Sequence, residues 1–141
     1  MRAVDHRAGP YAEFEAFVAG AAGRLLHVAV LLTGAPEPAR RLLAGALART
    51  YADWRRLRAD DPYGFTRQEL CAAYARTARR RGGGGAGPLA RLGSLERLVV
   101  VLRIYEGVAE EVAAAQLGLA PERVRVLCNR AVAALRSPEA A

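Results

Sequence analysis

The sequence predicts an all-α fold of two small helical units, and three observations predict it. Ala occurs 31 times among 141 residues, and aromatic residues make up only 6%. Both features disfavour strands, which draw on β-branched and aromatic side chains. Apolar residues recur at three- and four-residue steps over most of the chain, the period of a helix that packs one face. One glycine-rich stretch, Arg81-Gly82-Gly83-Gly84-Gly85-Ala86-Gly87-Pro88, interrupts that pattern.

The first helix is expected over 11–32. Phe14, Phe17, Val18, Ala21, Leu25, Val28 and Leu32 form its stripe, and Thr33-Gly34 stops it. A second helix starts at Ala35-Pro36-Glu37-Pro38 and runs to about Leu57. It is expected to bury Leu42, Leu43, Ala46, Leu47, Tyr51 and Trp54. Asp60-Asp61-Pro62 supplies an Asp cap with Pro at the first helical position. The third helix then runs to about Arg80 and turns Leu70, Ala73 and Tyr74 inward.

Beyond the glycines, Ser94 is expected to cap a helix over 95–105. Its stripe is Leu95, Leu98, Val99, Leu102 and Tyr105, and Glu106-Gly107 breaks it. A short helix over about 109–117 closes at Gly118. Pro121 opens the last helix, which runs to about Arg136 with Val124, Leu127, Cys128, Ala131 and Leu135 on one side. The expected division is a helical domain over 1–80, a linker over 81–88 and a second helical domain over 89–141. No Gly-Lys-Ser/Thr follows the glycines and no strand precedes them, so they do not read as a phosphate loop.

Charge narrows the function. The net charge is +7, and all 21 basic residues are Arg. Residues 40–81 hold eleven Arg against four acids, while residues 1–39 are net −1. The middle segment therefore carries the basic character of the chain. Cys71 and Cys128 lie far apart, and neither they nor His6 and His27 have metal-ligand spacing. They read as small buried hydrophobes in a reducing cytoplasm. No nucleophile–base pair and no cofactor motif stands out, so no enzyme and no cofactor is expected. The N-terminus has no apolar signal core, and the apolar run Val28 to Leu32 is too short to span a bilayer, so no membrane partner is expected.

The last two helices carry the functional pattern. Ala114 and Gly118 are four apart, Leu117 and Leu119 flank the glycine, and Val124 and Leu127 follow. A helix-turn-helix needs a small residue at the crossing, a Gly at the turn and apolar residues that lock the second helix. On that second helix the apolar side leaves an opposite face centred on Val126, with Glu122, Arg123, Asn129 and Arg130, and with Arg125 at its edge. Arg123, Arg125 and Arg130 suit phosphates or guanine edges, and Asn129 suits adenine.

With these motifs in order, the sequence resembles the bacterial extracytoplasmic-function sigma factors, in an actinobacterial-looking branch, over roughly residues 11–136. Leu92 to Gly107, Leu117-Gly118-Leu119-Ala120-Pro121 and Val124 to Leu135 look like sigma region 4 with its helix-turn-helix. Phe14-Glu15-Ala16-Phe17, Leu31-Leu32-Thr33-Gly34, Ala46 to Tyr51 and Trp54 look like region 2, and Asp61-Pro62 to Arg80 looks like its −10 helix. The resemblance implies promoter DNA and the RNA polymerase core as partners, with an anti-sigma protein as a regulator. It implies that Arg67, Arg76, Arg79, Arg80 and Arg81 line the DNA backbone near the −10 helix. It places polymerase docking on the face with Arg40, Arg41, Ala44 and Gly45, where the family carries acids and a Gln; here that face is basic. Two readings follow. One is a sigma-type DNA-binding regulator of transcription initiation. The other is a sigma-like protein-interaction module that binds an anti-sigma, another regulator or itself without melting promoters.

Overall fold

The computed structural model describes residues 9–81 and 86–137. The glycine string 82–85 therefore lies outside the described residues. Among those described there is no strand. The helices are α1 (Gly9–Thr33), α2 (Pro36–Ala52), a short α3 (Trp54–Leu57), α4 (Pro62–Arg81), α5 (Ser94–Val100), α6 (Glu110–Leu117) and α7 (Pro121–Arg136). A π-helical turn (Val101–Tyr105) continues α5.

Local chemistry sets most boundaries where the sequence places them. Gly34 takes φ 81°, and its N–H donates to the Val30 carbonyl, closing α1. Pro36 sits in the first turn of α2. The Asp61 carboxylate accepts the Gly64 N–H at 3.0 Å, capping α4. Gly118 is left-handed at φ 71°, and the Leu119 N–H reaches the Ala114 carbonyl at 2.9 Å, the six-residue closure of a Schellman end.

Three expectations are corrected. The second helix does not reach Leu57; it ends at Ala52, and Asp53 separates it from α3. That break turns Trp54 into the core, while Tyr51 stays half exposed. The helix after Ser94 is not α-helical to 105. At Val101 the ladder widens, and the Glu106 N–H donates to the Val101 carbonyl at 2.9 Å, five residues back. One inserted residue shifts the helical phase by about 100°. Glu106 thereby takes the inward position expected of Tyr105, and Tyr105 is 48% exposed. The third correction concerns α1. It is 25 residues long with a mean hydropathy of 1.7 over its best window, long and apolar enough to cross a membrane. The reading from the contiguous run Val28 to Leu32 undercounted it, because Ala and Gly extend an apolar helix without joining a run of large side chains. In the fold its stripe of Leu25, Val28, Ala29, Leu31 and Leu32 is buried in the core.

The helices before and after the glycines share one core. Leu25, Leu32, Leu43 and Leu70 belong to the same apolar cluster as Leu98, Val99, Leu102, Val124 and Leu127. Two features weld the groups. Gly34 and Gly87 meet backbone to backbone: a Cβ on Gly34 would lie 2.0 Å from the Ala86 carbonyl oxygen. Beside them Arg97 is fully buried. Its guanidinium donates to the carbonyls of Leu32 (2.8 Å), Ala86 (3.3 Å) and Leu92 (3.4 Å). Leu32 lies in the last turn of α1, where carbonyls lack helical partners and the dipole favours a cation.

Replacing Arg97 by Ala leaves those carbonyls without their charged donor. Urea unfolding of R97A is expected to lose about 3 kcal/mol or more. Arg91→Ala, on the exposed surface, is expected to stay within about 0.5 kcal/mol of wild type. Equal stability of the two variants would remove Arg97 from this role.

Candidate nucleic-acid interface

The outer face of α7 is built by subtraction. Val124, Leu127 and Ala131 are buried against α5 and α6. What remains outward is Glu122, Arg123, Arg125, Val126, Asn129 and Arg130, all exposed. No acidic side chain among the described residues pairs with Arg123 or Arg130. Val126, at the centre of this face, is 48% exposed, an apolar residue held in water. Arg125 is placed differently. It grips Glu110 in the first turn of α6 with two hydrogen bonds, Nε to Oε1 at 3.3 Å and a terminal nitrogen to Oε2 at 2.8 Å. That carboxylate holds the Arg125 proton above its ordinary range. Arg125 thus ties α7 to α6, and Arg123, Asn129 and Arg130 form the open face.

The α4 arginines divide. Arg76, Arg79 and Arg80 are exposed near its C-terminal end. At about 100° per residue they span one sector of roughly 100°, and Arg67 lies about 180° from Arg76. The structure does not bring Arg67 together with the other three; it points Arg67 inward, 14% exposed. The Arg81 side chain lies outside the described residues. On α2, Arg40, Arg41, Ala44 and Gly45 are all exposed, and Arg40 pairs with Glu37 one turn back at 2.6 Å.

The sequence reading missed a third cluster. Glu106, with 5% of its side chain exposed, meets three donors of the first helix group. Its Oε1 accepts from the Tyr63 hydroxyl at 2.8 Å and from Arg67 at 2.9 Å, and Arg24 lies 3.6 Å from Oε2. Both guanidiniums lie close to the Tyr63 ring, at 4.8 Å for Arg24 and 5.4 Å for Arg67. Burial first, then the bond to Glu106, pushes the Tyr63 hydroxyl up to about 12. Nearby, burial pushes the Cys71 thiol up to about 12. No periodicity marks Glu106, because its inward aim comes from the π turn.

At the far end, Tyr11, Phe14, Phe17, Tyr51 and Trp54 stack in tilted and edge-on pairs 4.9–6.3 Å apart. Tyr11, Tyr51 and Trp54 border a cleft edged by Arg55 and Arg56.

Comparison with known proteins adds one finding. The structure superposes on the sigma factor RpoE from Bartonella quintana, solved in complex with the anti-sigma factor NepR. The TM-score is 0.72 at 18% sequence identity, covering 87% of this chain and 94% of that one. The chain shares the fold of that sigma factor. No family model and no curated protein matches the sequence.

The raised Tyr63 and Cys71 values make stability sensitive to alkali. The unfolded chain releases these protons near their ordinary values of 10 and 9, while the folded chain keeps them to about 12. Their contribution is therefore complete below about pH 9 and is lost as pH rises from 9 through 12. Urea midpoints measured across that range are expected to fall for wild type and to fall less for a Tyr63→Phe, Cys71→Ala variant. Parallel curves would contradict this origin.

Proposed function

We propose that the chain is a sigma-type DNA-binding regulator of bacterial transcription initiation that works in the cytoplasm. One observation carries the proposal: in a sigma-factor fold, α6, the Gly118 turn and α7 leave Arg123, Asn129 and Arg130 solvent-facing on one side of one helix. In this reading α6 and α7 are a helix-turn-helix, and α7 enters the major groove. Arg123 and Arg130 hold phosphates or guanine edges, and Asn129 reads adenine. Arg125 contributes by fixing the angle between α6 and α7. Arg76, Arg79 and Arg80 anchor the backbone beside the −10 element. The helix groups 9–81 and 89–137 act as the two DNA-contacting domains.

Polymerase docking falls on the exposed α2 face with Arg40, Arg41, Ala44 and Gly45. Its basic character would oppose a basic partner surface and suit an acidic one. The superposed sigma factor was solved with an anti-sigma factor, which supports a protein of that kind as the regulator here.

Fluorescence polarisation with promoter duplex tests the reading. Arg123→Ala and Arg130→Ala are each expected to weaken binding and to lower the slope of log affinity against log salt by about 0.9 per lost phosphate contact. Asn129→Ala is expected to relax preference at one base pair, at about 1–3 kcal/mol. Affinity that is flat in salt, or unchanged in all three variants, overturns the reading.

A further inference from the structure

We propose that Arg24, Arg67 and Tyr63 form a second site for a nucleic-acid phosphodiester, and that Glu106 covers it as an internal stand-in for the phosphate. The inference rests on the reading of the chain as a DNA-binding protein. Three observations carry it. First, the donors converge. Two guanidiniums and a phenolic hydroxyl meet on the two oxygens of one carboxylate, at 2.8, 2.9 and 3.6 Å. Arginine recognises a phosphate with the same fork that it offers a carboxylate, so this geometry suits either anion. Second, the donors and the acceptor come from opposite sides of the glycine string. Arg24 lies on α1, Tyr63 and Arg67 lie on α4, and Glu106 lies just past the π turn. The three donors therefore stay together on α1 and α4 when Glu106 withdraws. Third, the site is reachable. Arg24 keeps 66% of its side chain exposed while it pairs with Glu106. A polyanion can engage Arg24 at the surface and then displace Glu106 from Arg67 and Tyr63.

The π turn makes the cover removable. Its ladder spans five residues, and Glu106 is aimed inward only by that one inserted residue. Unwinding the turn to a regular helix rotates Glu106 away from Arg67 and leaves the donors in place. In the covered chain Arg67 is shielded, and Arg24, though exposed, is paired with Glu106. The uncovered chain adds them to the phosphate contacts of Arg76, Arg79 and Arg80 on the opposite side of α4.

The test uses the full chain and a 12-nucleotide single-stranded oligodeoxynucleotide read by polarisation. Glu106→Gln keeps the side chain's size and removes its charge. It is expected to raise affinity roughly tenfold at 0.1 M salt. It is also expected to steepen the salt slope by about 1.4, two contacts at ~0.7 each. Asp60→Asn, an exposed acid, makes the same change in net charge and is expected to raise affinity less than twofold. Arg24→Ala or Arg67→Ala added to E106Q is expected to cancel most of the gain. Glu106→Asp keeps the charge but retracts it by one methylene; it is expected to fall between wild type and E106Q, and it serves if E106Q does not fold. A gain no larger than that of Asp60→Asn, or a gain that survives loss of Arg24 and Arg67, overturns the proposal. So does a glutamate-rich peptide that competes as well as the oligonucleotide, since the site would then take acidic protein. Promoter duplex titrated alongside, with Arg123→Ala and Arg130→Ala, separates the two proposals: loss of the oligonucleotide effect with duplex binding intact refutes the covered site alone.

Discussion

The burial of Arg97 governs how the rest of the chain is arranged. A guanidinium enclosed at zero exposure must have donors matched to acceptors, or the fold loses several kcal/mol. Its acceptors are the Leu32 carbonyl at the end of α1 and the Ala86 and Leu92 carbonyls on the run into α5. Those partners lie on both sides of the glycine string. Keeping Arg97 satisfied therefore keeps α5 on the end of α1. Gly34 and Gly87 are the steric counterpart, since only residues without Cβ allow the two backbones to approach so closely. With α5 placed, the apolar faces of α1 and α4 close over Leu98, Val99 and Leu102.

That arrangement determines what is offered to a partner. The Arg123, Asn129 and Arg130 face of α7 remains outward, and so do the Arg76, Arg79 and Arg80 sector and the basic face of α2. The inner side of α4 does not. Its Tyr63 and Arg67 are held by Glu106 from the second helix group. The same closure that stabilises the chain divides its arginines into those available at once and those available only on rearrangement. Chain charge alone cannot express that division.

Punctuation was legible in the sequence. Gly34, Pro36, Asp61-Pro62, Gly118 and Pro121 each act through one residue's own backbone chemistry, and each boundary falls beside them. The exposed face of α7 was legible for the same reason: a strong three-to-four period fixes both sides of a helix. What failed was phase and partnership. Tyr51 and Tyr105 continue their apolar stripes on paper. The break at Asp53 and the extra residue of the π turn rotate them outward. The stripe did not single out Arg97, and Glu106 marked only a helix end, because a period identifies a face and does not say which other face meets it. For Arg125 the angle on one helix gave its exposure and not its contact within the chain. Its partner Glu110 stands on another helix, fifteen residues earlier.

Differential scanning calorimetry tests most directly whether the helices on both sides of the glycine string form one cooperative body. The account predicts a single transition whose calorimetric and van't Hoff enthalpies agree. Two resolved transitions, or a calorimetric enthalpy well above the van't Hoff value, would mean that the two helix groups melt independently, and would contradict it.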